Sequence, residues 1–339
     1  MKHGRYRWFE LPDAPAIPAL RFRFYAGEAD IPSMVGVINA FNEATGEVER
    51  WDVETLGNDL RHPTHIPPQE GILLGFVGET MIAYSSVEFS DTTDGERHYR
   101  SHGSIHPDWM RRGIGGAMLA DAERRLVELA REQAYPGPRR IITWLDDGDA
   151  GGLALVQQRG YERVRVYHHM TRPHLEDIDI APLPEGVVAR PATRAEMPRV
   201  FDAAAEAFRD HFGGHDFSDA ARRRWLEDPL TNPDLMMTAF AGDEIIAGVQ
   251  GLIDPVENEA HGYLRGWTDP VFTRRPWRRQ GLAYALIGRS LRQLREQGMT
   301  SAQLGVDSQN ENRALALYQS HGYVVDRSAS EWHKRLESA

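Results

Sequence analysis

Residues 277–288 read WRRQGLAYALIG, and this stretch decides the fold. Arg278, Gly281 and Ala283 form the pattern Arg-x-x-Gly-x-Ala at the start of an amphipathic helix that we predict to run to about Gln297. The first N–H groups of a helix have no partner within the helix, and the positive end of the helix dipole adds to their attraction for an anion. Small residues let the backbone approach phosphate oxygens closely. The stretch therefore predicts a phosphate-binding turn.

A second motif lies downstream in residues 303–323, QLGVDSQNENRALALYQSHGY. An apolar strand comes first, then a polar turn that contains Asn310, and then a helix that ends at Gly322. Tyr318 lies four residues before that glycine. The two motifs together, in this order and at this separation, are much more specific than either one alone.

The pair of motifs resembles the acyl-CoA pyrophosphate loop and the late strand and helix of the GNAT (GCN5-related N-acetyltransferase) superfamily. This resemblance implies an α/β fold in which helices flank a mixed central sheet. It also implies an enzyme that moves an acetyl group directly from acetyl-CoA to a primary amine of a small-molecule or peptide acceptor, with CoA as product and no metal.

The first motif occurs twice in the chain. Residues 109–119, WMRRGIGGAML, align without a gap with residues 277–287, and the Gly-Tyr pair at 160–161 matches the pair at 322–323. Such internal repetition indicates that one structural unit has been duplicated. The sequence therefore predicts two tandem GNAT domains, similar in layout to two-domain enzymes of the mycothiol synthase type.

Each half also contains two apolar runs that meet at a tight polar turn, at Gly78-Glu79 and at Gly242-Asp243. Gly-acidic turns between apolar runs are typical of β-hairpins. Each half thus predicts the order strand, helices, hairpin, strand, helix, strand, helix, strand, which is an α/β pattern with a mixed sheet.

The expected boundaries follow from composition. Residues 1–19 are an irregular lead-in, and residues 20–172 form the N-terminal domain. Residues 173–186, PHLEDIDIAPLPEG, are rich in proline and acidic residues and read as a linker. Residues 187–339 form the C-terminal domain.

The two halves differ in their chemistry. Met110 stands where the second half has Arg278, and Val156 stands where the second half has Tyr318. The family resemblance assigns the proton donor to the position of Tyr318. We therefore expect the first domain to be catalytically silent and the second to be active.

The resemblance also implies a cofactor site in the second half. Backbone groups of the strand before the loop are expected to bind the pantetheine arm and polarise the thioester carbonyl. Tyr318 is expected to protonate the leaving thiolate, because a phenol with a pKa of ~10 stays protonated at neutral pH. The expected cofactor-binding residues are Val271, Phe272, Thr273, Arg278, Arg279, Gln280, Gly281, Leu282, Ala283, Tyr284 and Asn310.

The general base is less evident. Many family members carry a glutamate eleven residues before the loop arginine, where this chain has Trp267. Asp269 lies two residues further on, on the same face of a regular strand, and is the first candidate. His211 and His261 are alternatives.

The acceptor pocket of the family begins after the first helix of the active domain. At this place the chain reads Asp210-His211-Phe212, and we expect these residues and Trp267 to bind the acceptor.

Composition narrows the other possibilities. The formal net charge is −11, which disfavours a nucleic-acid partner, and no apolar stretch approaches the ~20 residues of a membrane span. Cysteine is absent, so thiol catalysis and disulfides are excluded. We expect a cytoplasmic monomer or homodimer. Two alternatives remain at this point: an aminoacyl transferase of the peptidoglycan-bridge type and a non-catalytic CoA-binding protein.

Overall fold

A computed structural model describes residues 7–92, 95–210, 212, 216–310 and 314–336, except for the side chain of Asp210. The chain forms two compact units. The first unit comprises Met1–Val164 and Ser330–Ala339, and the second comprises Arg165–Ala329.

Most elements of the first sequence half lie in the first unit. In chain order they are β1 (Leu20–Phe24), α1 (Ile31–Thr45), α2 (Val53–Arg61), α3 (Pro68–Gly71), β2 (Ile72–Val77), β3 (Thr80–Asp91), β4 (Arg97–Ile105), α4 (Ile114–Glu132), β5 (Arg139–Asp146), α5 (Ala150–Gln158) and β6 (Glu162–Arg172).

Most elements of the second sequence half lie in the second unit. They are β7 (Val187–Pro191), α6 (Met197–Ala207), α7 (Asp219–Glu227), β8 (Met236–Ala241), β9 (Glu244–Leu252), α8 (Pro255–His261), β10 (Arg265–Thr273), α9 (Leu282–Glu296), β11 (Ser301–Asp307), α10 (Ala314–Ser320) and β12 (Val324–Arg335). The predicted order of strands and helices is found in both halves, and α8 is an additional short helix.

Each unit contains a mixed sheet. In the first unit the strand order is β1-β2-β3-β4-β5-β12, and β4 and β5 are parallel. In the second unit the order is β12-β6-β11-β10-β9-β8-β7, and β10 and β11 are parallel. The mixed α/β fold predicted from the sequence is confirmed.

Helix α9 forms the centre of the second unit's core. Its residues Ile287, Leu291 and Leu294 recur at helical spacing and are completely buried. Burying a leucine side chain contributes roughly 1.5–3 kcal/mol, so this one face holds the helix firmly on the sheet. The helix begins one residue after Gly281, and this fixes the position of the turn described below.

The two units do not coincide with the two sequence halves. Strand β6 begins in the first unit, but its residues 167–172 pair with β11 in the second unit. Residues 330–335 of β12 belong to the first unit, where Trp332 packs in the core with Tyr99 and Tyr161. Each unit therefore receives one strand from the other half of the sequence. The domain boundaries along the sequence stay a prediction.

The segments before β1 and β7 are packed rather than loose. Leu11, in the expected lead-in, is buried beside Ile114 and Met118. Leu175, in the expected linker, is buried beside α9. Across the described part of the chain, no helix is both long and apolar enough to cross a membrane.

Candidate active site

The turn before α9 has the backbone of an anion site. Arg279 and Gly281 both have positive φ angles, of 62° and 78°. No side chain among the described residues caps the helix, and its first hydrogen bond runs from Ala285 N to Gly281 O at 3.0 Å. The N–H groups at the start of the helix, from Leu282 to Tyr284, therefore have no partner within the helix.

The space above this turn is open. A Cβ atom added at Gly281 would meet no other atom within 4 Å in the described parts of the chain. The counterpart turn in the first unit has the same backbone, with φ angles of 61° at Arg111 and 88° at Gly113. There, a Cβ atom at Gly113 would lie 3.6 Å from Pro15 of the lead-in segment. The two turns thus have the same backbone conformation but differ in how much space is open beside the glycine.

The side chains predicted to bind the cofactor are partly engaged with the protein itself. Arg278 donates to the backbone oxygens of Thr273 at 3.1 Å and Ala207 at 2.9 Å. The Tyr284 hydroxyl donates to Asp179 at 2.8 Å. Arg278 therefore anchors the turn to β10 and α6. Among the other predicted residues, Arg279 and Gln280 are exposed and Asn310 lies in the turn after β11.

Strand β10 separates from β11 after its first three residues. The two strands, both described over their full length, pair only from Arg265 to Trp267. On its other side, β10 stays paired with β9 as far as Thr273, with a register shift between Thr268 and Val271. The edge of β10 that faces β11 therefore offers backbone groups near Val271 that the parallel ladder does not use. The predicted oxyanion and pantetheine groups lie on this stretch.

Asp269 lies at the irregularity in β10. Its carboxylate accepts a hydrogen bond from the Gly305 N–H at 3.3 Å. Burial raises the pKa of Asp269 to about 6, and the Gly305 N–H opposes part of that rise. A carboxylate with such a pKa is still mostly ionised at neutral pH and holds a proton more readily than an exposed aspartate does.

Tyr318, on α10, is buried and packs edge-to-face on Tyr323 with ring centroids 6.2 Å apart. Burial raises the pKa of Tyr318 above its ordinary value, and the charges of Asp269 and then Tyr323 add to the rise. The phenol is therefore protonated at neutral pH. The hydroxyl of Tyr323 shares a 2.6 Å hydrogen bond with Thr268, next to Asp269. The structure thus brings together the two residues predicted to act as acid and base.

The structure describes only part of the set of residues predicted to bind the acceptor. Trp267 donates from its indole nitrogen to Glu257 at 3.3 Å. The Phe212 ring lies under the Arg165 guanidinium at 4.1 Å. The side chain of Asp210 and the whole of His211 lie outside the described residues. The remaining histidine candidate, His261, stacks on Tyr263.

Glu257 is a site residue that sequence reasoning missed. It is buried, and its carboxylate accepts hydrogen bonds from Tyr263 at 2.6 Å and Gln303 at 2.7 Å, as well as from Trp267. Its backbone N–H donates to Asp254, the residue that caps α8, and the local sequence gives no sign of the buried carboxylate. The glutamate that the family carries on the strand is thus replaced by a tryptophan that binds a glutamate from a neighbouring helix.

Comparisons with known proteins show which family the chain resembles. A family profile described as Acetyltransferase (GNAT) family matches residues 197–323. The mycothiol acetyltransferase of Streptomyces scabiei is 29% identical over 274 residues, which are 76% of this chain and 78% of the relative. That of Kineococcus radiotolerans is 31% identical over 227 residues, which are 65% of this chain and 67% of the relative.

The chain belongs to the GNAT family. It is an N-acetyltransferase, as the names of these relatives and of the profile indicate. Among solved structures, a GCN5-related N-acetyltransferase from Sphaerobacter thermophilus has a TM-score of 0.69 at 22% identity. The match covers 97% of this chain and 98% of that one. This likeness confirms the GNAT fold over both halves of the chain.

The first GNAT unit lacks the groups that the second unit brings together. The parallel β4–β5 register places Ser101 at the position that corresponds to Asp269. Val156, the counterpart of Tyr318, is packed in the apolar core beside Leu126. This unit therefore has neither the carboxylate nor the phenol.

Proposed function

We propose that the second unit transfers an acetyl group from acetyl-CoA to the primary amine of a small-molecule acceptor, and that the first unit has no activity. The observation that carries the proposal is the presence, in one unit, of an open anion turn, a splayed strand and the two groups Asp269 and Tyr318. The relatives are named for mycothiol, a small molecule, which favours a small acceptor over a peptide.

The cofactor would bind along the turn and the splayed strand. Its pyrophosphate would accept hydrogen bonds from the N–H groups of Arg279–Tyr284, helped by the dipole of α9. The pantetheine arm would pair with the free edge of β10 near Val271, as an added strand pairs with a sheet edge. This arrangement places the thioester near Asp269.

The acetyl transfer would proceed by direct attack. The amine nitrogen forms a bond to the acetyl carbon, and the carbonyl oxygen becomes an oxyanion that a backbone N–H of Val271–Thr273 stabilises. Asp269 accepts the proton that the amine loses. The carbon–sulfur bond then breaks, and Tyr318 donates its proton to the leaving thiolate. A proton returned from solvent or from Asp269 restores the phenol.

The cofactor placement is tested by two matched variants. Gly281→Asp puts a side chain and a negative charge above the open turn, and Gly113→Asp makes the same change in the first unit at nearly the same φ. Titration calorimetry with acetyl-CoA should show binding lost in Gly281→Asp and kept in Gly113→Asp. Equal affinity in a folded Gly281→Asp protein would refute this placement.

The reaction is tested with a panel of primary amines. Since the chain has no cysteine, a thiol reagent detects only the CoA that is released. We expect amine-dependent thiol release that disappears in Gly281→Asp. Binding of acetyl-CoA without release by any amine would favour a CoA-binding role instead.

A further inference from the structure

A cavity of 960 Å³ lies in the first unit, beside the C-terminal half of α4. Its other walls are the connection from α4 to β5, the first residues of β5 and the end of β12, and it is partly open to solvent. Helix α4 has 19 residues, so at a rise of 1.5 Å per residue the cavity lies roughly 20 Å from the glycine turn at the start of the helix. The cavity is therefore separate from the turn that matches the cofactor site of the second unit.

One wall of the cavity is apolar. Ala130 and Ile141 belong to the buried core of the first unit, and Val127 and Leu336 pack against that core. Small-molecule sites in proteins typically measure about 300–1,000 Å³ and combine apolar walls with a few placed polar groups. The size and this wall therefore suit the apolar or aromatic body of a small molecule.

Positive charge is concentrated on the more exposed part of the lining. The cationic side chains that line the cavity are Arg131, Arg139, Lys334 and Arg335. Arg131 and Arg335 are exposed, and neither has an ion-pair partner within the described residues. The chain as a whole has a net charge of −11, so four cations around one cavity depart from its average composition. Such a group attracts an anion.

One carboxylate lines the cavity, and its charge is already balanced. Glu123 is buried, and its two oxygens accept hydrogen bonds from Lys334 at 3.1 Å and from Arg159 at 2.5 Å. Burial acts to raise the pKa of Glu123, but the hydrogen bonds from Arg159 and Lys334 outweigh it and lower the pKa, so the group stays ionised. The other three cations of the lining have no ion pair in the described part of the chain. The negative end of the α4 dipole is equivalent to roughly half a charge, which these cations outweigh.

We propose that this cavity binds a small organic anion, whose apolar or aromatic body lies against the wall of Ala130 and Ile141 and whose acidic group is held by the cations. The cavity belongs to the unit that lacks the carboxylate and the phenol of the second unit, so the anion is bound there and not transformed. This inference goes beyond the acetyl transfer proposed above and does not depend on it.

The fluorescent dye anilinonaphthalene sulfonate is the first probe. It joins aromatic rings to one sulfonate group, and its fluorescence increases in apolar surroundings. Titration of the full-length protein with the dye at low ionic strength gives a dissociation constant for each variant. Dye that binds elsewhere on the protein contributes equally to all variants and does not affect their comparison.

Arg131→Glu reverses one charge of the lining. A change of two charge units about 6 Å from the sulfonate, in surroundings close to bulk water, should weaken dye binding about tenfold. Arg131→Gln removes one charge unit and should weaken it about threefold, which keeps the test open if Arg131→Glu does not fold. Both effects should disappear in about 1 M salt, where charges are screened within ~3 Å. Arg61→Glu, at the exposed end of α2, is the matched control, because α2 packs on the other face of the first unit's sheet.

The chemical class of the ligand is tested by displacement of the dye. Phenylbutyrate and its amide have the same apolar body, but only the acid carries a charge. The acid should displace the dye at a concentration at least about tenfold lower than the amide does, because it interacts with several cations at once. Equal displacement by acid and amide, or equal dye affinity in Arg131→Glu and Arg61→Glu at low salt, would overturn the proposal.

A single cysteine locates the bound anion. Ala134→Cys places the only thiol of the chain on an exposed part of the cavity lining, and Ala44→Cys places it on the exposed face of α1 as the control. Phenylbutyrate at about ten times its dissociation constant should slow the reaction of Ala134→Cys with N-ethylmaleimide about tenfold and leave that of Ala44→Cys unchanged. Mass spectrometry measures both rates. An unchanged rate in Ala134→Cys at this concentration would mean that the anion binds outside the cavity and would refute the proposal.

Discussion

Replacing Asp269 with asparagine should make the protein more stable and less active. Asparagine keeps the shape of the side chain and an oxygen that can accept the Gly305 N–H, but it cannot ionise. Burial raises the pKa of Asp269 from 3.8 to about 6. At 1.36 kcal/mol per pKa unit, the ionised carboxylate costs the folded state about 3 kcal/mol.

The sign of the pH dependence follows from proton binding. Between about pH 4 and pH 6 the aspartate is ionised in the unfolded chain but still protonated in the folded protein. The folded state binds more protons in this range, so the stability of the wild type falls as the pH rises. The free energy of unfolding of the asparagine variant should therefore rise relative to that of the wild type through this pH range. Above about pH 6 it should exceed the wild-type value by about 3 kcal/mol. Urea denaturation at about pH 4 and about pH 8 measures both values.

The activity of Asp269→Asn should fall, in contrast to its stability. Loss of a general base typically lowers the rate by ~10²–10⁴-fold, and the loss should be largest at low pH, where the free amine is scarce. Thiol release as a function of pH gives the profile. Asp243→Asn, in the exposed β8–β9 turn, is the control for removing one negative charge. If the Asp269 variant had the same pH–rate profile and the same pH-dependent stability as the wild type, the assignment of the base would be wrong.

Three further variants separate chemistry from structure. Tyr318→Phe should lower turnover while leaving acetyl-CoA affinity unchanged, because the hydroxyl acts only when the thiolate leaves. Calorimetry measures the affinity and rapid kinetics measure the turnover. Undiminished turnover in an assay limited by the chemical step would show that Tyr318 is not the acid. Val156→Tyr in the first unit should create no activity in the Gly281→Asp background, since that unit has no base. Glu257→Ala should lower the free energy of unfolding by about 3 kcal/mol, because it leaves buried donors of Tyr263 and other neighbours unpaired. Urea titration measures that loss. A fall in the free energy of unfolding of less than about 1 kcal/mol would mean that water replaces the carboxylate.

The local features of the fold could be predicted from the sequence. The helix expected from 282 to about Gln297 runs from Leu282 to Glu296. The glycine before it has the positive φ that the motif requires, and both hairpin turns occur at the predicted Gly-acidic pairs. Periodicity and turn chemistry depend on residues close in sequence, so one chain is enough to detect them.

Features that depend on distant residues could not be predicted. Strands β6 and β12 both follow a Gly-Tyr pair and have similar lengths, so nothing in either strand specifies which sheet it joins. The buried carboxylate of Glu257 became evident only when its partners from β10 and β11 were in place. Arg278 donates to a backbone oxygen of Ala207, 71 residues earlier in the chain, and the motif gives no sign of this contact.

The exchange of β6 and β12 makes the second sheet depend on the first half of the sequence. A gene fragment that encoded only residues 173–339 would lack β6, leaving one edge of β11 unpaired. An exposed strand edge of this kind invites aggregation. Mutations could therefore erase the chemistry of the first copy during evolution, but its deletion would cost the second copy part of its own sheet. On the proposal that the first copy has no activity, the duplication is retained for the strand that it gives to the second copy.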